Sequence, residues 1–274
     1  MDIESLKRKA ALLRADAVTM VHDASTGHTG GDMSAADIVT ALYYDVLRVY
    51  PENAKAPDRD RFFLSKGHSC EIYYAALADR GFFPKEELKT FSMAGSRIIG
   101  HPNNAVPGVE VCTGALGHGL PVAVGAALGA KRLGKSYRVY VLMGDGEQAE
   151  GSVWEAAMAA ANYKLDNLYA IVDRNGLQIS GSTEDVMALD DLGAKYRAFG
   201  WDTQTCDGND MAALINYFHS PKTEGKPHCL IARTVKGKGL PFAENQAAWH
   251  HKVPNDGQLA EAYEALGVKG ASFK

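Results

Sequence analysis

No apolar run in this chain approaches the roughly eighteen residues that a membrane-spanning helix needs. Cysteine is scarce and scattered: Cys70, Cys112, Cys206 and Cys229 form no C-x-x-C pair and have no histidine at a zinc-like spacing. That pattern excludes a zinc site built from cysteine motifs and reads as free thiols in a reducing cytoplasm. A basic block is also missing. With 29 Lys and Arg against 33 Asp and Glu, a formal charge of -4, the chain has nothing suited to a nucleic-acid backbone. Pro- or Ser-rich linkers, internal repeats and low-complexity tracts are absent too. Residues 1–274 therefore read as one domain, and 46% hydrophobic content is enough to build its core.

What is present is an alternation of elements. The opening stretch, MDIESLKRKAALLRADAVTMVHDAS, is too charged for a signal peptide and spaces Ile3, Leu6, Leu13, Ala17 and Val21 at helical intervals. After a small-residue loop, DASTGHTGGDM, a second helix is expected to begin at Ser34, whose hydroxyl would cap AADIVTALYYDVL. Arg61 to Ser65 read as a short buried strand that runs into a Gly-His turn and the helix EIYYAALADRG. Residues 92–118 form a long Gly-, Pro- and Asn-rich loop of the kind that usually carries function. From there helices and strands alternate: GLPVAVGAALGAKRLG, then the strand YRVYVLM, the helix SVWEAAMAAANYK, the strand NLYAIVD, and onward to the last strand, HCLIART. This order predicts an α/β fold, a parallel sheet with helices on both faces and ligands at the carboxyl ends of its strands. The final stretch from Lys236, KGKGLPFAENQAAWHHKVPNDG, lacks clear periodicity and reads as an ordered loop.

One motif is misleading. GAKRLGKS, Gly129 to Ser136, matches the phosphate-cradling pattern G-x-x-x-x-G-K-[ST], but it follows a helix and precedes a strand. A phosphate loop needs the opposite order. The expected role is a helix stop, with Gly134 in a left-handed cap and Lys131, Arg132 and Lys135 at the negative helix end.

The chemistry lies one strand later. YRVYVLM runs into Gly144-Asp145-Gly146, and the next strand ends just before Asn175, 30 residues on, as one βαβ unit. Asp145 and Asn175 should then converge, and with a nearby main-chain carbonyl such as that of Leu177 they suit a hard divalent cation, Mg²⁺ or Ca²⁺. Gly146 would let a diphosphate approach the backbone, and the helix opened by Gly151-Ser152 favours anions. His28, His68, His101 and His118 each follow a glycine, and the first three fall in loops on the expected ligand side. Imidazoles there can serve sugar hydroxyls or diphosphate oxygens.

This arrangement resembles the thiamine-diphosphate enzymes, and among them the N-terminal, diphosphate-binding domain of transketolases. The resemblance extends over almost the whole chain through TGHTGGDMS, DRFFLSKGH, GHPN, GVEVCTGALGHGLPVAVGAALG, GDGEQAEGSVWEA, DRNGLQ and ARTVKGKG. It implies that Asp145, Asn175 and the Leu177 carbonyl bind the metal, and that His68, Gly144, Gly146, Asn175 and His250 contact thiamine diphosphate. It further implies that Gly114 and Leu116 flank the cofactor and that His28, His101 and His250 serve the reaction. Glu150 and Glu155 match acidic residues of the subunit interface.

The sequence departs from the family at three points. Thr29 stands where the commonest pattern has Pro, and His250 is followed by His251 where related chains usually have Gly, so either histidine is a candidate for the cofactor contact. The chain also ends at Lys274. The resemblance therefore implies the small subunit of a two-chain transketolase. A partner of transketolase C-terminal type would supply the pyrimidine-binding and C-terminal domains, in an α2β2 assembly, with residues 236–274 ordered against it. The expected reaction is ketol transfer between sugar phosphates, or in a variant form on a branched-sugar phosphate or a sulfonated sugar. The α subunit of a 2-oxo acid dehydrogenase and a non-catalytic binding protein of the same fold are the competing readings.

Overall fold

Alternate residues of each central strand project to opposite faces of a sheet, and here both sets are apolar, so the sheet has to be covered twice. The computed structural model describes residues 1–274. It has a five-stranded, all-parallel sheet in the order β1-β2-β3-β7-β6. The strands are β1 (Arg61–Leu64), β2 (Val139–Gly144), β3 (Leu168–Arg174), β6 (Asp202–Asp207) and β7 (His228–Arg233). Between β3 and β6 lies a small antiparallel ribbon of β4 (Leu177–Gln178) and β5 (Gly181–Ser182).

On one face, Phe62, Leu64, Tyr140, Leu142, Tyr169, Ile171 and Leu230 pack beneath α1 (Ile3–Ala24), α2 (Thr29–Ala41), α3 (Cys70–Asp79), α8 (Met211–His219) and α9 (Asp256–Ala265). On the other, Phe63, Val139, Val141, Met143, Ala170, Val172 and Ile231 meet α4 (Gly119–Arg132), α5 (Gly151–Asn162) and α7 (Leu192–Ala198). A short α6 (Thr183–Val186) follows the ribbon. No helix is long and apolar enough to cross a membrane.

Two expectations change. α2 begins at Thr29, not at Ser34, because the Gly-rich stretch is wholly buried and packing overrides its weak helix propensity. Ser34 lies inside the helix, where its hydroxyl donates to the Gly31 carbonyl at 3.1 Å and to Asp173 Oδ2 at 2.7 Å. The tail after Lys236 holds an unforeseen helix, α9, with Asn255 and Gln258 in a reciprocal capping box. It packs on α1 of the same chain: Tyr263 Oη lies 2.6 Å from Thr19 Oγ1, and Ser272 donates to Asp16. The false phosphate motif is the expected helix stop. There α4 ends at Arg132, Gly134 has φ 62°, and the Lys135 N–H donates to the Ala130 carbonyl at 2.9 Å. Lys131 pairs with Asp166 and Lys135 with Asp58.

Candidate functional site

The parallel register decides which residues meet. Gly144 pairs with Asp173, so Asp145 leaves β2 beside the end of β3, and Asn175 follows two residues past Asp173. Asp145 is 2% exposed; its Oδ1 accepts from the Gly146 N–H at 2.8 Å and its Oδ2 from the Gly176 N–H at 2.6 Å, with Arg174 Nη1 at 3.3 Å. Burial, then the nearby Asp173 charge, pushes its carboxyl up from the usual range, which marks a carboxylate that gains from a cation. Asn175 Oδ1 accepts from the Leu177 N–H at 3.1 Å, while the Leu177 carbonyl accepts from Lys236 Nζ at 3.3 Å. Asp145, Asn175 and Leu177 all line one cavity of 390 Å³.

Two lysines line that cavity. Lys66, just past β1, is buried and paired with Asp173, and it also donates to the Gly31 carbonyl at 3.0 Å. Lys236, just past β7, is 2% exposed and has no carboxylate partner; burial, then the Lys66 charge, lowers it to about 8. Its ammonium donates to His250 Nδ1 at 3.0 Å, which leaves the imidazole proton on Nε2.

The glycine-preceded histidines converge as well. The His28 ring centroid lies 5.4 Å from that of His68, 5.8 Å from His101, 5.8 Å from His250 and 4.6 Å from His251. His68 and His250 line the cavity, 5.1 Å apart, while His101 and His251 are exposed at its mouth. Burial is the first cause that holds His28 near 4 and His250 near 3, and it lowers His68 well below the ordinary range, so these rings are neutral at pH 7. His118 stands apart, exposed ahead of α4.

The buried carboxylate of Asp145, the amide of Asn175, the ammonium of Lys236 and the neutral imidazoles of His68 and His250 on one cavity would suit a cation beside a polyanion. A family model described as the transketolase thiamine diphosphate binding domain matches residues 5–274. The chain belongs to the transketolase family. It is 50% identical to a Phocaeicola vulgatus protein named as one of the subunits of apulose-4-phosphate transketolase, over 98% of this chain and 96% of that protein. It is 36% identical to a 6-deoxy-6-sulfo-D-fructose transketolase subunit of a Clostridium species, over 97% of this chain and 98% of that one. Among solved structures, transketolase from Leishmania mexicana superposes with a TM-score of 0.91 at 30% identity, covering 98% of this chain and 42% of that chain.

Within this transketolase-family domain, Gly114, Leu116, Gly144, Gly146 and Glu150 line the same cavity. Glu155 lies on the exposed side of α5, away from the lining. Of the two adjacent histidines, His250 faces the cavity and His251 packs edge-on to His28. Thr29 replaces the rigidity of a proline by a bond: its hydroxyl donates to the Lys252 carbonyl at 2.7 Å, tying the His28 loop to the segment that carries both histidines.

Sequence reasoning missed three residues here: Lys66, Lys236 and Glu147. The lysines sit in SKGH and VKGKG, directly after strands, and position after a strand was the available signal. Glu147, 2% exposed, accepts from Ser65 Oγ, from the Gly117 N–H at 2.8 Å and from the Gly144 N–H at 3.0 Å. It thereby joins three loops of the cavity wall, a role without a sequence pattern.

Proposed function

We propose that this chain is the diphosphate-binding half of a thiamine-diphosphate- and Mg²⁺-dependent transketolase that transfers a two-carbon ketol unit between sugars and works with a second, C-terminal-type chain. The observation that carries this reading is the convergence of Asp145, Asn175, the Leu177 carbonyl, Lys236 and His250 on one cavity. The fit is supported by donor chemistry: hard oxygen donors on one side suit Mg²⁺, and ammonium and imidazole N–H groups on the other suit diphosphate oxygens. His28 Nδ1 is buried without a hydrogen-bond partner, as expected of a ring that awaits a polar ligand.

When bound, thiamine diphosphate supplies an electron sink for the ketol carbons. This chain's own part is placement. Asp145, Asn175 and the Leu177 carbonyl would hold Mg²⁺, and Lys236 and His250 Nε2–H would donate to the diphosphate. His28 and His101, with His251 beside them, would donate to or accept from substrate hydroxyls near the reacting carbons. Glu150 and Glu155 remain candidates for a contact between subunits, with residues 236–274 contributing to the partner face and α2β2 as the expected assembly.

Relatives named for apulose 4-phosphate and for a sulfonated fructose support a substrate that ends in an anionic group, a sugar phosphate or sulfonate. The test is to co-purify the chain with its partner and assay ketose donors against 2-oxo acids, with and without Mg²⁺ and thiamine diphosphate. Ketol transfer that depends on both, and is lost with Asp145→Ala, is expected. Activity that survives Asp145→Ala would overturn the metal assignment, and turnover of 2-oxo acids alone would overturn the reaction.

A further inference from the structure

Next to the His28 backbone, two acidic side chains lie fully buried beside each other: Asp32 in the first turn of α2 and Glu71 in the first turn of α3. Glu71 Oε1 accepts from the His28 main-chain N–H at 3.1 Å. Asp32 Oδ1 accepts from the Ile72 N–H at 3.1 Å, capping α3, whose own N-cap residue Ser69 makes no side-chain bond. Asp32 Oδ2 finds no donor among the surrounding protein groups, and its neighbour is the Glu71 carboxyl. Two acceptors can face each other in a dry site only with a proton between them. Gly27 shows how tight the arrangement is: at φ 144° a Cβ there would lie 2.4 Å from Glu71 Oε1.

We propose that Asp32 and Glu71 form a one-proton carboxyl pair that positions His28, with Asp32 as the acid, Glu71 as the carboxylate and the α3 N-terminus steadying the single negative charge. Burial, reinforced by the Glu71 charge, raises Asp32 well above the ordinary carboxyl range, in keeping with its holding the proton. The titratable and charged groups facing the pair are Lys66 from the β1–α3 turn, Cys70 and Tyr74 from α3, and His28 itself, and the apolar Val21 of α1 lies beside Gly27. Cys70 Sγ donates to Glu71 Oε2 at 3.4 Å, and Tyr74 Oη donates to the His101 carbonyl at 2.8 Å, so one turn of α3 holds the backbone at both His28 and His101. As pH rises and the shared proton leaves, two negative charges repel and Glu71 is driven from the His28 N–H.

The proposal rests on the transketolase reading only for its activity arm. In the full chain without ligand, amide exchange read by mass spectrometry should quicken at His28 about tenfold in Glu71→Ala, the factor one charge-assisted hydrogen bond supports. Glu71→Gln, which keeps the acceptor, and Asp32→Asn, which keeps the donor, should hold it near the parent rate. In the two-subunit enzyme, Asp32→Asn should lose part of the alkaline fall in kcat/KM, because an amide cannot give up the shared proton, and Glu71→Ala should lower kcat more than it changes KM. Unchanged exchange in Glu71→Ala, failure of Gln to preserve protection, or an unaltered alkaline limb in Asp32→Asn would each overturn the pair. If Glu71→Ala does not fold, the Gln and Asn variants decide. Absence of ketol transfer in the parent enzyme would remove the function and leave the exchange result to judge the pair alone.

Discussion

Asp173 offers the sharpest test of how the sheet supports the site. It is fully buried and accepts from Lys66 Nζ, from Ser34 Oγ at 2.7 Å, from Thr234 Oγ1 and from Asn175 Nδ2 at 3.4 Å. Asp173→Asn keeps the shape and one acceptor oxygen but removes the charge that offsets the buried Lys66 ammonium, and breaking a buried ion pair in this way costs about 3–5 kcal/mol. Unfolding entropy of about 2.1 cal/mol/K per residue over 274 residues gives roughly 0.6 kcal/mol/K, so the melting temperature should fall by roughly 5–9 °C. Differential scanning calorimetry on the full chain reads this directly. Adding Lys66→Met to Asp173→Asn removes the stranded charge and should recover part of the loss. The reasoning is refuted if Asp173→Asn melts with the parent, or if the double variant loses the sum of the two single effects.

Other expectations follow from neighbouring groups. Lys236→Met should weaken thiamine diphosphate binding, read by titration calorimetry in the two-subunit enzyme, roughly ten- to hundredfold, the range for one hydrogen bond to a charged group; unchanged affinity would remove Lys236 from the anion site. For His28 the folded pKa of about 4 lies below the unfolded value of about 6.5. Its contribution to stability is therefore full above pH 6.5 and lost as pH falls through about 4. His28→Asn should flatten the acid dependence of the melting temperature, and an equal slope in parent and variant would contradict this. Thr29→Val removes the bond to the Lys252 carbonyl, which should cost about 1 kcal/mol and quicken amide exchange around 249–252. A local exchange rate equal to the parent's would show that the tie is idle.

The parts of the molecule governed by local periodicity were legible in its residues. Buried strands such as YRVYVLM and NLYAIVD announce a parallel sheet covered on both sides, and G-D-G after one strand with Asn after the next announces Asp145 and Asn175 as neighbours. What local pattern does not encode is which distant groups turn inward. Lys236 and Glu147 look like ordinary surface charges in sequence, and only the chain's return across the strand ends buries them. Ser34 suits a cap by residue type, yet the buried Gly-Gly turn before it is helical because tertiary packing outweighs propensity. The Asn255–Gln258 capping box is visible in NDGQ, but without a strongly periodic stretch after it the helix does not stand out.

The return of the tail over α1 has a consequence for the order in which a ribosome delivers the site. The sheet and Asp145 precede the tail in synthesis, whereas Lys236 sits just past the last strand and His250 reaches the cavity within the tail itself. Under the proposed roles, a growing chain would carry the metal ligands Asp145, Asn175 and Leu177 before it carries Lys236 and His250. Tight diphosphate capture would then be a late event, reporting that the final segment has docked.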